Sequence, residues 1–122
     1  YFDTGKKYSD ELAPERFYHG FVLGLMVEQR ENYVIRSNRE SGFGRYDIMM
    51  IPHDPVKNPA IIIEFKVCSR TNKETLEDAV QSALQQIIDK NYETELLAQG
   101  IPKEKIRHYG FAFEGKKVLI GA

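Results

Sequence analysis

Two carboxylates and an ammonium have types and spacing that could do chemistry. Asp47 lies in the run YDIMMI (residues 46–51), and Glu64 and Lys66 lie in the run AIIIEFKVC (residues 60–68). Both runs are rich in strand formers, and PHDPVKNP between them reads as a turn edged by prolines. Folding back about Pro55 or Val56 makes the runs antiparallel neighbours and sets Asp47 opposite Glu64. Period-two alternation then puts Lys66 on the face of Glu64, beside Ile62 and Met49, with Ile63, Phe65 and Val67 on the other face. Two close carboxylates repel each other and hold a hard divalent cation well, magnesium above all, because it prefers oxygen ligands and keeps several waters. A lysine beside them would orient or deprotonate water, or neutralise developing phosphate charge. The alternative for the same residues is an ion pair of Lys66 with Glu64 or Asp47 on a solvated sheet face. Against it, AIIIEFKV reads as a central strand covered on both sides, where charges are costly unless paired or metal-bound.

The elements that must position these groups follow from periodicity. Glu15 to about Gln29 reads as a helix, with Phe17, Phe21, Val22, Leu25 and Met26 at helical spacing after Pro14. Tyr33 to Ser37 is a short strand, and ESGFG (residues 40–44) links it to the Asp47 strand. One long helix is expected from Glu74 or Thr75 to Leu97, its apolar stripe running from Leu76 through Ala83 or Leu84 and Ile87 or Ile88 to Tyr92 and Leu96, with Gly100 as its cap. Lys105 to Glu114 and Lys117 to Gly121 are two final strands about Gly115. This order predicts an α/β sandwich with a mixed central sheet, in which the helical crossover makes the Glu64 and Ile106 strands parallel and adjacent.

Asp47, the turn and Glu64-Phe65-Lys66 resemble the signature of the PD-(D/E)XK nuclease superfamily, in which an acid on the second strand and an E-x-K on the third form the active site. GFGRYDIMMIP, IIIEFKV, ALQQIIDKNY and HYGFAFEGKKV together look like the small nuclease-like domain found C-terminal to AAA-type ATPase regions. The likeness runs from near Glu15 almost to the last residue. It implies a restriction-endonuclease-like sandwich with helices flanking the sheet, and magnesium-dependent phosphodiester hydrolysis of nucleic acid, DNA first, with Mn²⁺ able to substitute. Asp47 and Glu64 would hold the metal with the backbone carbonyl of Phe65 and the carboxylate of Glu15, and Lys66 would position the attacking water. Glu15 has a second reading as an ordinary acid in a helix first turn, favoured by the helix dipole. Gln86, in preference to Gln85, would point toward the site. The resemblance also implies an ATPase-like region upstream, of which residues 1–14 would be a polar remnant and residues 15–122 the nuclease-like domain. Cutting both duplex strands normally needs two sites, so a further reading is a domain active only as a homodimer or after assembly with the upstream region. The rival class is a noncatalytic interaction or regulatory domain on the same fold.

The remaining residues bound the function. Arg45 shares the face of Asp47 and could hold that acid or contact a phosphate. His19 lies four residues after Glu15 on the same side of its helix, either supporting the site or structural. Glu40, in the glycine-bearing link, is an alternative ligand, with a solvated acid as its other and favoured reading. His53 and His108 are not expected as ligands, and the 3 histidines lack a zinc spacing. A single cysteine, Cys68, excludes an intramolecular disulfide, reads as inert, and agrees with a reducing, cytoplasmic setting. With 17 Lys and Arg against 18 Asp and Glu, the formal charge of -1 argues against a strong nonspecific grip on duplex backbone. A positive rim of Arg36, Arg39 and Arg45 on one side and Lys57, Lys66, Arg70 and Lys73 on the other remains available. No G-K-[ST] phosphate loop, membrane-spanning stretch or secretory signal is present. The absence of an initiating methionine predicts a piece of a longer protein.

Overall fold

The computed structural model describes residues 6–40, 45–68, 73–115 and 117–122, with the side chains of these apart from residues 6–15, 39, 40, 45 and 46. Helix α1 (Lys6–Glu28) precedes strands β1 (Tyr33–Glu40), β2 (Arg45–Pro52) and β3 (Ala60–Val67). Helices α2 (Leu76–Asp89) and α3 (Tyr92–Ala98) and a 3-10 turn (Lys103–Lys105) lead into β4 (Ile106–Glu114) and β5 (Lys117–Gly121). The five strands form one sheet in the order β1-β2-β3-β4-β5. It is mixed: β3 and β4 pair in parallel, and every other neighbouring pair is antiparallel. The α/β sandwich and its parallel crossover are as the sequence predicts.

The β2–β3 hairpin is closed locally by Asp54. Its carbonyl accepts from the amides of Lys57 and Asn58 at 3.1 and 3.0 Å, and its Oδ1 accepts from the Val56 amide at 3.1 Å. These bonds replace ladder bonds that the flanking prolines cannot donate. Alternation along β2 and β3 then divides the molecule. Ile48, Met50, Ile63 and Phe65 face α1, where they pack with Tyr18, Phe111 and Phe113. Met49 and Ile62 face the other way and pack with Ile87, Leu96 and Ile101 of the α2/α3 layer. Among the described residues no helix is long and apolar enough to cross a membrane.

Three element boundaries differ from expectation. α1 begins at Lys6, not Glu15, so Pro14 lies within the helix, and the straight-chain residues Lys6, Lys7, Glu11 and Leu12 carry it upstream. β1 extends to Glu40, through the residues opposite Asp47, Tyr46 and Arg45. The single long helix is two helices. Thr75 caps α2 with a reciprocal box, its side chain accepting from the Asp78 amide at 3.1 Å while the Asp78 carboxylate accepts from the Thr75 amide at 3.2 Å. Lys90 ends α2, and Asn91 adopts the left-handed region (φ 56°, ψ 37°) before α3 starts. Asparagine tolerates that conformation better than most residues. The apolar stripe resumes across this corner because Leu96 returns to the Ile62 and Ile87 cluster, so periodicity alone does not register the break.

Candidate active site

Asp47 and Glu64 are directly opposed in the β2–β3 register. Both point to the α2/α3 side, as the packing of Met49 and Ile62, two residues before or after them, requires. Both are buried, with 8% and 2% of their surface exposed, although β3 is apolar apart from Glu64 and Lys66. Two anionic groups so placed need compensating partners, and the α2–α3 corner supplies two. The Tyr92 hydroxyl donates to Asp47 Oδ2 at 2.8 Å. The Lys90 ammonium lies 3.9 Å from Asp47 Oδ2 and 3.8 Å from Glu64 Oε2. Those distances exceed a direct hydrogen bond, so Lys90 acts on both acids through its charge. Its Nζ also lies 5.7 Å from the centre of the Tyr92 ring, in a cation–π arrangement.

Asp47 is held from the opposite layer as well. Tyr18 of α1 places its hydroxyl 3.4 Å from the Asp47 carbonyl oxygen and 3.3 Å from that of Asn38, the β1 residue paired with Asp47. A pocket of about 310 Å³ opens beside Asp47, lined by Arg36, Asn38, Met49, Tyr92 and Glu95 among others. That volume falls at the lower end of small-ligand sites. Arg36 crosses it to pair with Glu95, and its Nη2 lies 3.4 Å from Met49 Sδ.

Lys66 is partly buried on the same strand, in register with Ala112 of β4, and alternation gives it the face of Glu64. The Phe65 side chain turns to the α1 side, 2% exposed within the aromatic cluster, leaving its carbonyl in the strand between the two site residues. Gln86 is partly buried one helical turn before Lys90, whereas Gln85 is exposed and donates to Asp89 Oδ1 at 2.9 Å. His19 is exposed on α1, in edge contact with the Tyr18 ring and lining a separate pocket with Val22 and Met26. His53 Nε2 lies 3.4 Å from the Arg30 carbonyl, and His108 Nε2 lies 2.9 Å from Glu93 Oε2. Cys68 is buried against Ala79, Val80 and Ala112, its Sγ 2.9 Å from the Glu74 carbonyl. The side chains of Glu15, Arg39, Glu40 and Arg45, and Arg70 altogether, lie outside the described residues. Of the other rim cations, Lys57 and Lys73 are exposed.

Lys90 and Tyr92 were not expected at the site. Tyr92 reads in the sequence as one more member of the apolar stripe, and Lys90 has no role in that reading. The available signal was the position of Lys90 on the Ala83–Ile87 side of α2, where a charge at the end of a buried stripe calls for an anionic partner.

Among the described residues no group of three His, Cys, Asp or Glu side chains converges, so the described acids are a pair. A pair of carboxylates fits magnesium, which is commonly held by one or two carboxylates and otherwise by water and substrate oxygens. Residues 13–122 match the sequence profile of the PD-(D/E)XK nuclease superfamily. No curated protein and no solved structure matches the chain. The match spans all five strands and all but the first turns of α1, and the chain belongs to the PD-(D/E)XK nuclease superfamily.

Proposed function

We propose that the chain is a magnesium-dependent nuclease that hydrolyses phosphodiester bonds of DNA, with Mn²⁺ as a working substitute. The observation that carries this reading is the register of Asp47 against Glu64, both buried on one face, with Lys66 two positions along β3. Asp47, Glu64 and the Phe65 carbonyl would hold the metal, with Glu15 as a further acid. When bound, magnesium supplies Lewis-acid stabilisation of the phosphoryl oxygens.

The chain's own groups do the rest. Lys66 orients the attacking water and takes up part of the charge that develops on the phosphoryl group. Tyr92 fixes the Asp47 carboxylate through its hydroxyl. Arg45 and Gln86 act as supports of the acid pair, and His19 belongs to the outer layer. In the reaction the water oxygen forms a bond to phosphorus, the bond to one ester oxygen breaks, and that oxygen leaves with a proton. The same resemblance supports an ATPase-like region joined upstream and a second copy of the chain for duplex cleavage. One cysteine and no long apolar helix among the described residues are compatible with a cytoplasmic setting.

The test pairs calorimetric Mn²⁺ titration with incubation of labelled single-stranded and duplex DNA, on the wild type and Glu64→Ala. Wild-type binding should accompany cleavage, and the variant should lose about 10³-fold or more of the rate, as expected when several kcal/mol of charge stabilisation is removed. A folded wild-type protein that neither binds Mn²⁺ nor cleaves would sink the nuclease reading and favour a noncatalytic interaction domain. Cleavage of RNA alone would correct the substrate.

A further inference from the structure

Lys90 is a cation already seated at an acid pair. Its Nζ is nearly equidistant from the two carboxylates, at 3.9 and 3.8 Å, and bound tightly to neither. Its backbone is fixed at the end of α2, where its amide donates to the carbonyls of Gln86 and Ile88 and the helix dipole favours a positive charge. The side chain is not so fixed: it retains 21% exposure, and a lysine stem has rotatable bonds enough to carry its head to solvent without backbone movement. The neighbouring Asn91 in left-handed conformation gives the corner a sharp bend, which also aims Tyr92 at Asp47.

We infer that Lys90 is the resident counter-ion of the metal-free site, and that a divalent cation and the Lys90 ammonium compete for the carboxylates of Asp47 and Glu64. This rests on the metal-site reading above. Without metal, the ammonium offsets the repulsion of two buried anions and keeps them opposed. When a divalent ion takes those oxygens, two cations cannot share the position, and the Lys90 side chain swings out to solvent or to a phosphate of the substrate. Lys90 is therefore a positioning residue that sets the threshold for metal loading. Lys66, on β3, is a separate lysine with a separate task.

Opposite signs in two measurements distinguish this role from a merely structural one. In Lys90→Met, the metal-free melting temperature should fall by several degrees, because the acids lose a neutralising partner. Calorimetric Mn²⁺ affinity should nevertheless rise about tenfold, because the ion no longer has to displace a partly exposed, solvent-screened ammonium from the acids. Lys117→Met, on the exposed face of β5, controls for the loss of one positive charge and should shift affinity less than about twofold. Should Lys90→Met not fold, Lys90→Gln keeps a polar head on a stem one atom shorter while removing the charge, and the same two shifts are expected. Affinity that is unchanged or weakened in a folded Lys90 variant, with the wild type binding Mn²⁺, overturns the competition and leaves the metal-site reading standing. Wild-type protein that binds no Mn²⁺ removes both.

Discussion

The two faces of β3 share one backbone and differ in almost everything else. Toward α1, Phe65 stacks on Phe113 at 5.9 Å between ring centres, meets Tyr18 edge-on at 5.2 Å, and lies 5.0 Å from the ring centre of Phe111. Such pairs contribute about 0.5–1.5 kcal/mol each beyond the area they bury. Toward α2 and α3, Glu64 stands between small residues: Gly110 beside it in register, Ala112 two pairs further on, and Ala79 and Ala83 on the helix above. The rings give the sheet its stability. The small residues let α2 approach closely enough for Lys90 and Tyr92 to reach the acids, and the acids themselves oppose folding unless compensated. A buried charge is tolerable here because the other side of the same strand is so well packed.

The largest effect on stability should come from the ring side. Phe65→Ala leaves a cavity in the aromatic cluster and should cost about 3–5 kcal/mol, a drop of about 10–20 °C in melting temperature. Under conditions where the variant remains folded, its Mn²⁺ affinity should stay near wild type, because the Phe65 carbonyl and both acids are retained; loss of metal binding from folded Phe65→Ala would break the division of labour. Gly110→Ala probes the close approach on the other face. A Cβ at Gly110 would meet the Val80 carbonyl at 2.9 Å and the Ala83 Cβ at 3.1 Å, and the helix must retreat, at about 1–3 kcal/mol by chemical denaturation. Since the retreat also draws Lys90 from the acids, this variant should change Mn²⁺ affinity where Phe65→Ala does not. The smallest effect on stability belongs to the residue most needed for cleavage. Glu64→Ala removes one of two like charges and leaves Lys90 paired with Asp47 alone, so stability should change by about 1 kcal/mol or less in either direction. Equal destabilisation by Glu64→Ala and Phe65→Ala in urea melts would erase the contrast between the faces.

The acid side was legible in the sequence as far as strand geometry reached. Prolines at 52, 55 and 59 mark the turn, and alternation fixes which residues face each other, so the Asp47–Glu64 opposition follows from local chemistry. The parallel β3–β4 pair follows likewise from the length of the crossover. What escaped was set by one dihedral. The left-handed Asn91 splits a periodic helix without disturbing its stripe, and with that corner unseen, neither Lys90 nor Tyr92 could be aimed at the acids. Pro14 misled in the opposite direction. It reads as a first-turn residue, whereas α1 runs through it from Lys6. The choice between Gln85 and Gln86 turned on about 100° of helical direction, and the structure buries Gln86 in part while Gln85 pairs with Asp89 at the surface.

The pairing of β3 with β4 has a consequence during synthesis. As the chain emerges, β2 and β3 can meet early, but β3 remains an edge strand until residues 106–114 arrive to lie beside it. Lys90 comes only at the end of α2, and Tyr92 only after the Asn91 corner that follows it. A nascent chain ending before β4 thus carries the two acids without the neighbouring strand that makes their site interior. The most exposed stage of the protein's life, on the ribosome and close to RNA, coincides with the stage at which its acids are least organised for chemistry.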